Sequence, residues 1–181
     1  MKKMSLILGL LFPFSVLAEP SAVVAVKLSP AGSFKAETRE VKGSAVHEGS
    51  KFTAKNIVVD LKSLNSGISL RDDHAKNKYL EVGKHPSAIL VSATGENGKG
   101  SGVIKIKGIE KPISGTYKVK GKELEAEFDL KLSDFGITGI KYMGVGVSDL
   151  VKVTVSVPVT EGAAGAVEKA APAKAPPAKK K

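Results

Sequence analysis

The sequence predicts an all-β protein of about eight antiparallel strands with at most one or two short helices, either a closed up-and-down barrel or a sandwich. Three observations predict it. From 123 to 132, Leu124, Ala126, Phe128, Leu130 and Leu132 alternate with Glu123, Glu125, Glu127, Asp129 and Lys131, a period of two that only a half-buried strand explains. Short turn sequences at Glu48-Gly49-Ser50, Gly95-Glu96-Asn97-Gly98 and Gly121-Lys122 separate strand-like runs, which favours hairpins and antiparallel pairing. One long span, 63–90, does not itself read as a strand and is left to cap or form the mouth of the β-structure.

Taken in order, residues 22–28 form a short apolar run closed by Pro30 and Gly32. Residues 33–47 alternate small, charged and β-branched types, with Gly43 marking a bend or bulge. In 51–61, Ile57, Val59 and Leu61 share one face. The capping span opens with Asn65, Ser66 and Gly67 and passes through Arg71, Asp72, Asp73 and His74. Leu70, His74 or Ala75, and Tyr79 or Leu80 then recur at the spacing of a short helix over about 70–80. Strands resume at 87–94, at 101–107 with Ile104 and Ile106 inward, and at 112–120 with Ile113, Tyr117 and Val119 opposite Ser114, Thr116, Lys118 and Lys120. After the 123–132 strand, the glycine-rich 134–148 reads as a loop. A last strand, 149–159, sets Val151, Val153, Val155 and Val157 on one face.

The ends differ in kind from the middle. Residues 1–18 carry Lys2 and Lys3, an apolar run from Leu6 to Leu17 and small residues before a cleavage point after Ala18, the pattern of a secretory leader. Residues 19–161 form the domain, and 162–181 form an Ala/Pro/Lys-rich tail without apolar periodicity, expected to be disordered. The protein is therefore read as periplasmic or secreted. It has no cysteine, so neither a disulfide nor a thiol-linked lipid anchor is available. Of the formal charge of +10, the leader and tail account for six, leaving +4 on the domain. With only Arg39 and Arg71 as arginines and few aromatics, nucleic acid is not an expected partner. The tail lysines suit weak, salt-sensitive attraction to anionic envelope components.

Catalytic chemistry is not evident. The sequence has no cysteine nucleophile and no Gly-x-Ser-x-Gly elbow, and His47, His74 and His85 lack the close spacing of a zinc site. Asp72-Asp73-His74 reads as a charge cluster at a helix start. What remains is the inward face, for which alternation nominates Ile57, Val59, Ile104, Ile106, Tyr117, Val119, Ala126, Phe128, Leu130, Val153 and Val155. A tube lined by small aliphatic side chains suits a flexible aliphatic chain better than a flat polar cofactor. No metal or catalytic cofactor is expected.

Several segments carry a family resemblance. Ser63-Leu64-Asn65-Ser66-Gly67, Arg71-Asp72-x-His74, Tyr79-Leu80-Glu81-Val82 and His85-Pro86 resemble the YceI-like family, as do Gly108-Ile109-Glu110-Lys111-Pro112-Ile113 and Ser133-Asp134-Phe135-Gly136-Ile137. Ala75 stands where the family's leucine usually follows the histidine, and the N-terminal tryptophan and His-Ser pair of many members are absent. The resemblance implies a lipocalin-like eight-stranded barrel that binds a polyisoprenoid chain, with no enzymatic activity. Arg71, Asp72, His74, Tyr79 and Leu80 then become the motif residues of the mouth or cap.

Two functions follow as expectations. One is carriage of an isoprenoid lipid, such as a quinone tail or polyprenyl chain, in the barrel interior. The other is an envelope interaction or stress protein with a solid barrel, acting through its surface and basic tail. A dimer of barrels is compatible with either.

Overall fold

A computed structural model of the chain describes residues 19–142 and 144–162. The expected leader and nearly all of the expected tail lie outside the described residues. Gly162, where the tail is expected to begin, still donates its N–H to the His47 carbonyl at 2.8 Å.

Twelve strands form one sheet: β1 (Ser21–Ser29), β2 (Ser33–Thr38), β3 (Val41–Lys42), β4 (Ala45–Glu48), β5 (Lys51–Asp60), β6 (Ser87–Glu96), β7 (Lys99–Ile106), β8 (Ile109–Lys120), β9 (Glu123–Lys131), β10 (Lys141–Tyr142), β11 (Val145–Val147) and β12 (Leu150–Glu161). Strands β4 to β9 and β12 close a seven-strand barrel, because β12 pairs with β9 along one edge and with β4 along the other. The β4–β12 contact is parallel, Val159 opposite Ala45, while the other strand pairs are antiparallel. At the far end of β12 its free edge takes β1 instead, and β2 and β11 add to β1.

The architecture is the expected all-β barrel, with the strands divided differently. The 33–47 run breaks into three strands at Arg39-Glu40 and at Gly43. Gly43 adopts φ +120° and lies so close to β5 that a Cβ would sit 3.0 Å from the Ile57 side chain. The 134–148 segment is not all loop, since it carries β10 and β11. Residue 132 does not extend β9: Leu132–Phe135 turns into a 3₁₀ helix, with Ser133 N and Oγ both bonding the Asp149 carboxylate at 2.7 Å. The Asn97-Gly98 turn has φ of 52° and 76°, the primed geometry whose twist matches a two-residue hairpin.

The capping span holds one short helix, α1 (Ser69–Asp73), running directly into a π-helical turn at His74–Tyr79. The wider turn, with Leu80 N–H on the Ala75 carbonyl at 2.8 Å, puts Tyr79 and Leu80 against the core. Leu70 does not share that face and is 51% exposed.

The core falls into two zones. At the capped end Leu61, Val82, Ile106, Leu130, Phe135, Val151 and Val153 pack into one cluster, and Phe135 is the large side chain most fully enclosed. Toward the hairpin turns Ala22, Val41, Ala45, Ala54, Ile57, Leu124 and Val157 form another. Val59 and Val155 touch both zones.

Candidate functional site: an apolar cavity in the barrel

Small inward residues leave the hairpin-end zone incompletely filled. Ala45, Ala54, Ala93 and Ala126 face inward from four strands, and Gly95, Gly100 and Gly115 lie in register across β6, β7 and β8. A side chain at Gly95 would run into the Tyr117 ring and one at Gly115 into the β9 backbone at Glu127. These small residues leave a cavity of about 120 Å³. Since one water needs roughly 10–15 Å³ on this measure, it has room for a single slender chain. It runs from Phe52 and Tyr117 at the hairpin end to Val59, Ala88, Ile104 and Phe128 deeper in. Glu127 is the one charged residue among those lining it.

Of the residues nominated by alternation, Ile57, Val59, Ile104, Tyr117, Ala126, Phe128 and Val155 line this cavity. Ile106, Leu130 and Val153 also point inward, but they lie in the packed capped-end cluster and do not line the cavity. Val119 is a correction. It is 44% exposed, because β7 stops opposite Thr116 and the rest of β8 runs on as a hairpin paired only with β9. Alternation missed Ala45, Ala88, Leu90, Ala93 and the three glycines. The available signal was the run of small residues at alternate positions, 93 and 95 on β6 and 100 on β7.

The rim at the hairpin end is aromatic. His47 stacks on Phe52 with centroids 4.4 Å apart, and Phe52 meets Tyr117 edge-on at 5.3 Å. The opposite end is closed by the capping span, where Arg71 and Asp72 grip the same turn. Arg71 Nε donates to Ser66 Oγ and Nη2 to Ser66 O, both at 2.8 Å, while its guanidinium lies 3.8 Å from the Phe34 ring centroid. The Asp72 carboxylate accepts from Ser66 N–H at 3.0 Å and from the Ser66 hydroxyl. Tyr79 and Leu80 pack beneath. His74 is exposed, and none of Arg71, Asp72 and His74 lines the cavity. Asp72 and Arg71 fasten the turn at Ser66, and Arg71 lays the cap over β2 through Phe34.

A further fastener joins the cap to the β7–β8 turn. Lys107 Nζ reaches Glu81 Oε1 at 2.8 Å and the Tyr79 carbonyl at 2.9 Å. The Lys107 hydrogen bond and charge hold the Glu81 carboxyl below its ordinary pKa. Among the described residues no group of three or more His, Asp or Glu side chains could hold a metal ion, and no helix is long and apolar enough to cross a membrane.

The family model of the YceI-like domain matches residues 16–159. The chain belongs to the YceI-like family. Its barrel is similar to the crystal structure of BcnA from Burkholderia cenocepacia, with a TM-score of 0.59 and 17% identity over 75% of this chain and 94% of that one. It is also similar to a polyisoprenoid binding domain from Saccharophagus degradans implicated in plant cell wall breakdown, with a TM-score of 0.54 and 13% identity over 76% and 91%. At these identities the likeness is one of fold. No curated protein matches the chain.

Proposed function

We propose that this YceI-like protein binds and carries an isoprenoid lipid in its barrel, without catalysing a reaction, as an exported protein of the cell envelope. The observation that carries the reading is the slender cavity, lined mainly by small aliphatic and aromatic side chains and glycine, with Glu127 as the one charged residue. An apolar chain transferred there from water gains roughly 0.8 kcal/mol per methylene, so a few isoprene units offset the cost of ordering the chain. The Saccharophagus domain, similar in fold, is described as polyisoprenoid-binding, which supports the same ligand class here. The leader pattern at 1–18 supports export.

The test is native mass spectrometry of mature protein purified without detergent from its own envelope, followed by organic extraction. A non-covalent adduct that extracts as an isoprenoid is the expected result. A bare mass that stays bare after incubation with quinones and polyprenyl alcohols would overturn the reading and favour action through the surface and basic tail.

A further inference from the structure

The barrel wall is not continuous. Strands β8 and β9 pair from Lys120 opposite Glu123 as far as Gly115 opposite Phe128, and there the ladder stops. Both strands continue toward the capped end, β8 back to Ile109 paired only with β7, and β9 on to Lys131 paired only with β12. At Gly115 the two strands press together, for a Cβ there would lie 2.2 Å from the Glu127 carbonyl oxygen and 2.8 Å from Phe128 Cβ. Beyond this pinch Pro112 carries no N–H to extend a ladder, and Leu132 turns away into the 3₁₀ helix that buries Phe135.

A cleft lies on the outer side of the split, and Ile113, Ser114, Gly115, Thr116, Glu127 and Phe128 line both it and the inner cavity. The cleft's charged side chains are Glu127, Asp129 and Lys152. Lys152 Nζ bonds Glu127 Oε1 at 2.6 Å and its residue stands in register with Asp129. The single cation is thus flanked by two carboxylates, which repel an added anion and leave hydroxyls (Ser114, Thr116) and strand-edge groups to meet a neutral polar head.

We propose that the split between β8 and β9 is a lateral port, through which an isoprenoid with an uncharged polar head, an alcohol or a quinone, slides sideways into the cavity and leaves its head in the cleft. Sideways entry spares the polar head passage along the apolar cavity and lets the tail enter through a gap that needs no ladder broken. The proposal rests on the isoprenoid reading.

The experiment closes the port reversibly. The chain has no cysteine of its own, so S114C/D129C, one step beyond the last β8–β9 pair, forms a bridge that stitches the split. K118C/E125C, within the existing ladder, is the control. Loading of geranylgeraniol from phosphatidylcholine vesicles is followed by native mass spectrometry, with geranylgeranyl phosphate as the charged comparison. Expected are at least tenfold slower geranylgeraniol loading of oxidised than of reduced S114C/D129C, no difference between the two forms of the control, and at least tenfold weaker binding of the phosphate by the wild-type protein. Equal loading of the oxidised and reduced forms would overturn the port, and equal or tighter binding of the phosphate would overturn the neutral-head assignment. If wild-type protein loads neither probe, the isoprenoid reading itself has failed. Should the bridge disturb folding, wild-type protein loaded with geranylgeraniol bearing a diazirine beside the hydroxyl decides the matter. Label on 112–115 and 128–131 supports the port; label on Phe52 and Tyr117 overturns it.

Discussion

The Tyr117 ring occupies the space that a side chain at Gly95 would need: a Cβ there would lie 2.6 Å from Tyr117 Cε1 and 3.1 Å from Cδ1. Gly95 stands opposite Gly100, and Gly100 opposite Gly115, so three adjacent strands present bare backbone on the inner wall. The ring rests on that surface at the hairpin end, where Phe52 meets it edge-on. A large aromatic is thereby accommodated in a narrow barrel without filling the axis.

Gly95→Val removes that accommodation. The ring must swing toward the axis, and overpacking of this kind costs about 1–3 kcal/mol. Urea denaturation should show the lowered midpoint, and lipid retention should fall because the displaced ring narrows the cavity. Unchanged stability would mean that Tyr117 moves freely and does not depend on the glycine.

Val155 and Leu130 point into the same barrel, but only Val155 borders the cavity, so they should respond differently. Val155→Trp fills the cavity and should abolish lipid retention. Leu130→Ala, in the packed capped-end cluster, should cost about 2–5 kcal/mol and leave retention by the folded fraction intact. Native mass spectrometry with a denaturation curve separates the two effects.

Arg71→Ala tests whether the family motif serves the cap or the ligand. It deletes two hydrogen bonds to Ser66 and the contact over Phe34. Bonds from charged donors contribute roughly 1.5–3 kcal/mol, so amide exchange should quicken across 63–80 while lipid affinity stays within about twofold of wild type. A large affinity loss without faster exchange would place Arg71 at the ligand.

The Lys107–Glu81 contact predicts a pH dependence. Lys107 depresses the Glu81 pKa, and a carboxyl lowered on folding contributes stability that is present above its unfolded pKa and lost as pH falls through its folded value. Lys107→Met should therefore lower Tm at neutral pH, and the gap from wild type should narrow below the ordinary glutamate pKa of about 4.3. Lys107 also bonds the Tyr79 carbonyl, so the gap should narrow without closing. A gap independent of pH would remove Glu81 as its source.

The strands themselves were legible because their signal is local. The period of two in 123–131 and 150–159 states which side chains share a face without reference to any other part of the chain. The asparagine-glycine turn and the fold class were local in the same sense, and the helix over 70–80 nearly so. Sequence by itself thus determined an all-β chain with a capped end and a consistent set of inward residues. Whether an inward residue lines a cavity, packs solid or meets solvent depends on its neighbours across the sheet. Tyr117 and Val119 share a face, yet only Tyr117 is covered, because β7 ends opposite Thr116. Leu130 and Val155 are equally apolar, yet Leu130 belongs wholly to the cluster around Phe135 while Val155 borders open space. Only the tertiary structure decided these points, together with the closure of β12 on β4 and the split beyond Gly115, since each depends on where strands distant in sequence begin and end against one another.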